Sequence, residues 1–219
     1  MRNISGLILC IFLLASQAEA QTQAQSATAL QNYRRGRDLE AMNRMGEANV
    51  YYNEAVRICL DEVSRNAATR DTYAVITWTM QRQKKYADVI SWGERGLRVY
   101  PDEFRIIETM GEAFFYLNDY EHSLSYMQRY TNALPQGERV SVAFFFTGEI
   151  YRITEKYLHA DIAYTAAVRI DPSLALWWYR LGSVREAAGD KRPAIEAYQQ
   201  ALKLNPNYRE ARNGLNRLQ

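Results

Sequence analysis

The side chains in this sequence best able to do chemistry are two histidines and a cysteine in the body of the chain. His122 and His159 could ligate a metal ion, and Cys59 could act as a nucleophile. A zinc site needs three or four such ligands, and no further His or Cys stands where it could complete the set. Cys59 has no histidine at a fixed spacing to activate it. We therefore predict that both histidines are solvated surface residues, that Cys59 is a small buried apolar residue, and that no metal is bound.

The sequence also lacks the longer motifs that mark catalytic sites. It contains no Gly-rich phosphate loop, no nucleophile elbow and no zinc-binding helix. Of its 219 residues 47% are hydrophobic, and 27 basic against 25 acidic residues give a net charge of +2, with the basic residues scattered. This composition argues against binding to nucleic acid. We predict a protein that is not an enzyme and has no cofactor.

The start of the chain has the pattern of a secretory signal peptide. An apolar run at residues 4–15 follows a basic start, and alanines occupy both positions that signal peptidase reads. The run is too short for a membrane anchor, because a spanning helix needs about 20 apolar residues. Cys10 lies inside the run after a bulky leucine, so lipidation is not expected. We predict a signal peptide at 1–20, cleaved after Ala20, a polar linker at 21–28, and a periplasmic or secreted mature protein.

Landmark residues recur 34 positions apart in the C-terminal half of the chain. The spacing relates Pro172 to Pro206, Gly148 to Gly182, Ala160 to Ala194, Tyr164 to Tyr198, and Ala167 to Ala201. Five identities at one spacing indicate an internal repeat, in which each copy is one supersecondary unit that buries its apolar face against its neighbours.

The last copy, residues 175–208, resembles a tetratricopeptide repeat. It has the residues of that motif at the expected positions: Trp178, Leu181, Gly182, Ala194, Tyr198, Ala201 and Pro206. The same register divides the chain into five units, 29–62, 70–103, 104–137, 141–174 and 175–208, followed by a capping helix at 209–219. The resemblance implies an all-α fold, a right-handed superhelical solenoid of about five helix hairpins with the C-terminal capping helix.

The register also explains which residue types recur. Small residues at positions 8, 20 and 27 of a unit let its two helices approach closely, and aromatic residues fill the space around them. Proline at position 32 stops the second helix. Each unit departs from the pattern in at least one place: Leu60 replaces the proline in the first, Gly93 an aromatic residue in the second, Tyr130 a small residue in the third, Thr147 a leucine in the fourth, and Arg185 a tyrosine in the fifth. Short insertions at 63–69 and 138–140 separate some units.

The resemblance implies that the first helix of each hairpin lines a concave groove. The candidate partner-binding residues at its groove positions are Tyr33, Arg37, Trp78, Arg82, Arg105, Glu108, Glu112, Phe115, Tyr116, Phe145, Glu149, Arg152 and Tyr179. Aromatic anchors flanked by charges suit a protein or peptide partner. The alternative, that several of these rings are packed between helices, stays open. The Lys and Asn with which some members of the family grip chaperone carboxylates are missing from the corresponding positions.

These observations favour a non-catalytic interaction scaffold or adaptor in the bacterial cell envelope that binds a segment of a partner in the groove. Two alternatives remain. In one, the solenoid is a structural protein that self-associates into a homo-oligomer. In the other, it is an accessory of envelope assembly that contacts glycan through its aromatic residues. The sequence does not identify the partner.

Overall fold

A computed structural model describes residues 28–219, so the predicted signal peptide and almost all of the predicted linker lie outside the described residues. Within 28–219 the chain is entirely helical and contains no strand. Its eleven helices are α1 (28–41), α2 (Met45–Ser64), α3 (Arg70–Arg82), α4 (Tyr86–Val99), α5 (Phe104–Tyr116), α6 (Tyr120–Ala133), α7 (Val140–Ile153), α8 (Tyr157–Ile170), α9 (Ala175–Ala187), α10 (Lys191–Leu204) and α11 (Arg209–Leu218). None of the described helices is both long and apolar enough to cross a bilayer.

The chain divides into two compact units, here called the first and second unit. The first ends at Thr109 and the second comprises Met110–Gln219, so the boundary falls inside α5. The first unit contains α1 to α4 and the beginning of α5. The second contains the rest of α5 and the helices from α6 to α11. Each unit is built from antiparallel helix pairs, and each is described below by itself.

The second helix of the first hairpin is longer than its counterparts. The helices α4, α6, α8 and α10 have 14 residues each, whereas α2 has 20. The register places a helix-stopping proline near the end of a unit, and Leu60 stands there instead. As a result α2 continues to Ser64, which is two residues beyond the predicted boundary at 62.

Every hairpin turn contains a residue in the left-handed region of backbone conformation, at the same place in each unit. The residues and their φ angles are Asn43 at 59°, Lys84 at 58°, Asn118 at 61°, Glu155 at 58° and Gly189 at 86°. Asparagine and glycine adopt this conformation readily, but a residue with a longer side chain pays a steric cost. Lys84 and Glu155 therefore adopt a backbone conformation that is unfavourable for their residue types.

Close contact between a glycine and a tyrosine holds the helices of three hairpins together. A Cβ built on the glycine would lie 2.4 Å from the ring of Tyr52 at Gly36, 2.6 Å from Tyr164 at Gly148, and 2.7 Å from Tyr198 at Gly182. All three tyrosines are fully buried. The predicted role of small residues at position 8 is confirmed, because no side chain fits between the two helices there.

The helix α11 covers the end of the second unit, as predicted. Its Ala211 and Gly214 are buried, and Tyr208, Leu215 and Leu218 pack against the same small core. A Cβ at Gly214 would lie 2.5 Å from the ring of Tyr198, on which Gly182 also packs. The ring of this tyrosine is thus clamped between α9 and α11.

The oversized Tyr130 is accommodated by the loop that follows its helix. Its side chain is 5% exposed, and its hydroxyl accepts a hydrogen bond of 3.3 Å from the backbone N–H of Arg139. A Cβ added to Gly137 would lie 2.7 Å from the same hydroxyl. The insertion at 138–140 and the glycine before it therefore give the tyrosine the room that a small residue would not need.

A buried carboxyl group lies where α2 meets the start of α3. Glu62 is fully buried, and one of its oxygens accepts a hydrogen bond of 2.5 Å from the hydroxyl of Thr72, which also belongs to the capping box formed with Thr69. The other oxygen has no hydrogen-bond partner within residues 28–219. Burial raises the pKa of Glu62 above its ordinary value, and the bond from Thr72 opposes this only in part.

Candidate partner-binding surface

All thirteen candidate residues lie on first helices of hairpins, but the structure divides them between the two units. We call the residues on α1, α3 and the start of α5 the first-unit face: Tyr33, Arg37, Trp78, Arg82, Arg105 and Glu108. We call those on the rest of α5, α7 and α9 the second-unit face: Glu112, Phe115, Tyr116, Phe145, Glu149, Arg152 and Tyr179. Three of the thirteen, Tyr33, Glu108 and Glu149, are buried and offer a partner almost no surface.

Stacked side chains dominate the first-unit face. The rings of Tyr33 and Trp78 stack with their centroids 5.6 Å apart, and the guanidinium carbon of Arg105 lies 5.5 Å from the Trp78 ring. Arg37 approaches the Tyr33 ring at 6.0 Å. Trp78 therefore has neighbours from both α1 and α5, and Tyr33 is packed rather than presented. On the first-unit face the rings are therefore packed between helices, which is the alternative that the sequence left open.

Two of the three arginines of the first-unit face, Arg82 and Arg105, form ion pairs with carboxylates of the same unit. Arg82 lies 2.8 Å from Glu40, which also accepts a hydrogen bond of 2.6 Å from the hydroxyl of Tyr52. Burial acts to raise the pKa of Glu40, but the hydrogen bonds from Arg82 and Tyr52 outweigh it and leave the pKa below its usual value. Arg105 contacts both Glu103 and Asp71 at 2.7 Å. These ion pairs link α1 to α3 and α3 to α5, so they form within the first unit and do not require a partner.

Glu149 is the centre of a charged network on the second-unit face. Arg152 and Arg180 each approach its carboxylate to 2.9 Å, and the hydroxyl of Tyr164 donates a short hydrogen bond to it. Burial, followed by the charge of Glu149, raises the pKa of the Tyr164 phenol, which therefore remains a donor. The network links α7 to α8 and to α9.

Aromatic side chains surround this network. On one side, Phe115 and Tyr116 contact the ring of Phe146 with centroids 5.0 Å and 6.0 Å apart. Tyr116 is 47% exposed, which makes it the most accessible ring among the candidates. On the other side Tyr179 contacts Tyr208 at 5.2 Å and is partly exposed. This face presents the exposed ring of Tyr116 to solvent, whereas on the first-unit face Tyr33 is buried and Trp78 is partly exposed.

Phe145 packs against the core of the second unit, although its register position predicts a residue that faces the groove. It stacks on Trp177 with centroids 5.1 Å apart and planes inclined by 16°, and it also contacts Tyr164 at 5.7 Å. Both of those neighbours are buried. Truncating Phe145 would therefore disturb the core of the second unit as well as its surface.

Sequence reasoning did not find the charge network shared by three hairpins. In each, a buried tyrosine donates to a glutamate of its own first helix, and an arginine of the next first helix pairs with that glutamate. The sets are Tyr52, Glu40 and Arg82; Tyr164, Glu149 and Arg180; and Tyr198, Glu186 and Arg217. The available signal was a tyrosine at position 24 with a glutamate 12 to 15 residues before it.

The histidines and the cysteine lie away from both faces. His122 and His159 are exposed on the second helices α6 and α8, where they contact Phe114 and Tyr151 at 5.0 Å and 5.2 Å. Their predicted surface position is confirmed. No group of His, Cys, Asp or Glu within residues 28–219 is arranged to hold a metal ion. Cys59 is fully buried, as predicted, and burial raises the pKa of its thiol well above the usual range, which opposes nucleophilic chemistry.

A cleft of about 350 Å³ lies between α6 and α7, on the side of α7 away from its groove positions. It is lined by Leu124, Gln128, Thr131, Asn132, Phe144, Thr147 and Tyr151. Thr147 stands where the motif has leucine, and its hydroxyl donates to the carbonyl of Ala143 at 2.9 Å. The smaller side chain leaves part of this helix contact unfilled. None of the thirteen candidates lines the cleft.

Comparison with known proteins supports the register in one repeat and the fold along most of the chain. The sequence model of the tetratricopeptide repeat matches residues 175–208. The heat shock protein sti1 homolog of Schizosaccharomyces pombe is 28% identical over 109 residues, which are 50% of this chain and 18% of that protein. The chain thus spans less than a fifth of the length of this relative.

Solved structures share the arrangement of helices. YrrB, described as a TPR protein with an unusual peptide-binding site, superposes with a TM-score of 0.58 at 20% identity, over 90% of this chain and 97% of YrrB. MamA from Desulfovibrio magneticus RS-1 superposes with a TM-score of 0.64 at 15% identity, over 83% and 97% of the two chains. The predicted fold class is confirmed. The chain has the all-α fold of tetratricopeptide-repeat proteins, and residues 175–208 form one such repeat.

Proposed function

We propose that this protein is an interaction scaffold that binds a segment of a partner protein on the first helices of its hairpins. The observation that carries the proposal is the second-unit face, where the exposed Tyr116 and the partly exposed Phe115 and Tyr179 flank a charged centre. Aromatic side chains beside charges are typical of binding hot spots. YrrB, which shares the fold, has a peptide-binding site, so the fold can serve this purpose. The proposal includes no catalytic step and no cofactor.

The proposal is tested by capture of partners from the native host with matched variants. Tyr116→Ala and Tyr179→Ala should each weaken binding by about 1–3 kcal/mol, because each removes a ring from the proposed interface. His122→Ala and His159→Ala are the controls, since they remove exposed rings from second helices. Circular dichroism must show that each variant is folded. Normal capture by folded Tyr116→Ala and Tyr179→Ala, with loss in the histidine variants, would contradict the proposal.

We also propose that the protein is exported and acts in the bacterial envelope, as a periplasmic or secreted protein. The support is the signal-peptide pattern of residues 1–20, which lie outside the described residues. N-terminal sequencing of protein recovered from the envelope fraction should find Gln21 as the first residue. An intact Met1, or a lipid on Cys10, would refute the proposed cleavage.

A second candidate function, self-association, is favoured by the outer face of α8. Leu158, Ile162 and Ile170 are 68%, 72% and 53% exposed on this one helix. At the equivalent positions of α10 stand the charged Arg192 and Glu196 and the apolar Leu204. Sedimentation velocity of the protein and of Ile162→Lys tests this candidate. A dimer that dissociates on the substitution would favour it, and a monomer in both would exclude it.

A further inference from the structure

The centre of the second-unit face carries more positive than negative charge. Arg152 and Arg180 share the single carboxylate of Glu149, each at 2.9 Å. The side chain of Glu149 is 9% exposed, whereas each arginine side chain is 29% exposed. The carboxylate is thus covered, and the side of the network that reaches solvent consists of two guanidinium groups with one charge in excess.

Neighbouring carboxylates do not neutralise this excess. Glu112 pairs with Arg139, and Glu186 pairs with Arg217 at 2.8 Å. Within residues 28–219, Glu149 is the one carboxylate that forms an ion pair with Arg152 or Arg180. A guanidinium group has five N–H donors, so each of these arginines keeps donors for a second acceptor.

Aromatic surface lies on both sides of the arginine pair in the order of the helices. Phe115 and Tyr116 with Phe146 join α5 to α7 on one side, and Tyr179 with Tyr208 joins α9 to α11 on the other. A ligand centred on the arginines would therefore meet rings in both directions. A residue inside a peptide has chain on both sides, whereas a C-terminal residue would leave one set of rings uncovered.

We propose that Arg152 and Arg180 bind the side-chain carboxylate of an Asp or Glu within the partner segment, and that apolar residues flank this acidic residue on both sides. The inference rests on the proposed function and specifies the chemistry of the partner. Arginine binds carboxylate through paired, charge-assisted hydrogen bonds, which fix the register of the segment. The flanking rings supply the apolar contacts that hold the rest of it.

The experiment selects ligands for the full chain from a random 12-residue peptide library displayed on phage. The peptides are fused to the coat protein at their C-termini, so an acidic side chain is the only carboxylate that they can offer. Selected peptides are synthesised with an amidated C-terminus and titrated against the wild type, Arg180→Gln, Arg180→Lys and the control Arg192→Gln. Arg192 lies on α10, and its side chain is 92% exposed. Circular dichroism verifies that each variant is folded.

We expect the selected peptides to share one Asp or Glu between apolar residues. Arg180→Gln should weaken their binding at least about tenfold, and so should replacement of the acidic residue by its amide, because either change removes a charged hydrogen bond. The two changes together should cost little more than either alone, since they remove the same contact. Arg180→Lys should restore part of the affinity, and Arg192→Gln should change nothing.

Two results would overturn the inference while leaving the proposed function standing. They are selected peptides without a shared acidic residue, and peptides whose binding is unaffected by Arg180→Gln. Failure of the library to yield any peptide that binds the folded chain would count against the proposed function itself, and the inference would fall with it.

Discussion

At the scale of single residues, the buried tyrosines of three hairpins connect packing to charge. The ring of Tyr198 fills the space that Gly182 leaves, and its hydroxyl donates a hydrogen bond of 2.5 Å to Glu186. Arg217 of the next first helix pairs with the same glutamate. Tyr198 thus packs between the two helices of its own hairpin, and it also orients Glu186 for the ion pair with the following helix. Several charges at groove positions are used in this way, which leaves fewer of them for a partner.

Glu62 makes the stability of the first unit dependent on pH. Burial raises its pKa above the ordinary value of 4.5, so the folded chain favours the protonated carboxyl. Its contribution to stability is complete below the unfolded pKa and is lost as the pH rises through the higher folded pKa. We expect Glu62→Gln to raise the free energy of unfolding by about 1–3 kcal/mol at pH 7. The substitution removes the charge of a buried carboxylate that has a hydrogen-bond partner at only one of its two oxygens. The gain should disappear near pH 4.

Urea unfolding at pH 4 and pH 7 measures this effect. The control is Asp38→Asn, which removes an exposed carboxylate from α1 of the same unit. A stabilisation by Glu62→Gln that is equal at both pH values would show that the folded protein does not raise the pKa of Glu62.

At the scale of elements, two of the five hairpin turns hold a residue type that is unfavourable for their backbone conformation. Asn43, Asn118 and Gly189 suit a positive φ, whereas Lys84 and Glu155 do not. We expect Lys84→Gly and Glu155→Gly each to stabilise the protein by about 0.5–1 kcal/mol, because glycine has no Cβ to clash. Urea unfolding measures the change. Gln83→Gly, at an adjacent φ of −80°, should destabilise instead, and stabilisation there would refute the explanation.

The contact between Gly182 and Tyr198 gives a second prediction at this scale. Gly182→Leu should cost about 1–3 kcal/mol, because its side chain would overlap a buried ring. The loss of hydrogen-exchange protection should concentrate in α9, α10 and α11, since helices in such repeats contact mainly their neighbours. Gly46→Leu is the control, because no atom lies within 4 Å of a Cβ there. Unchanged protection in α9 to α11 would show that the helices do not approach as closely as the structure has them.

The elements and their close contacts could be predicted from the sequence, because their signals are local and periodic. Glycine at position 8 and tyrosine at position 24 occur together in the first, fourth and fifth repeats, and the structure packs each pair together. The burial of Tyr33 could not be predicted, because it depends on stacking with Trp78 from another hairpin. The pairing of Arg180 with Glu149 likewise joins residues 31 positions apart, and the register gives no rule for it.

At the scale of the whole molecule, the first helices of the hairpins differ in the surface that they offer to a partner. First helices supply the candidate residues in both units, but the second-unit face has the more accessible rings, with Tyr116 47% exposed. The first-unit face is largely occupied by its own stacking and ion pairs. We therefore propose that the main binding surface is the second-unit face.

Hydrogen–deuterium exchange of the full chain, with and without a captured partner or a selected peptide, measures whether the second-unit face is the binding surface. We predict that binding slows exchange in α5, α7 and α9, with the largest change in the segments that contain Tyr116, Arg152 and Tyr179. Slower exchange confined to the second helices α6, α8 and α10, which carry His122 and His159, would contradict it.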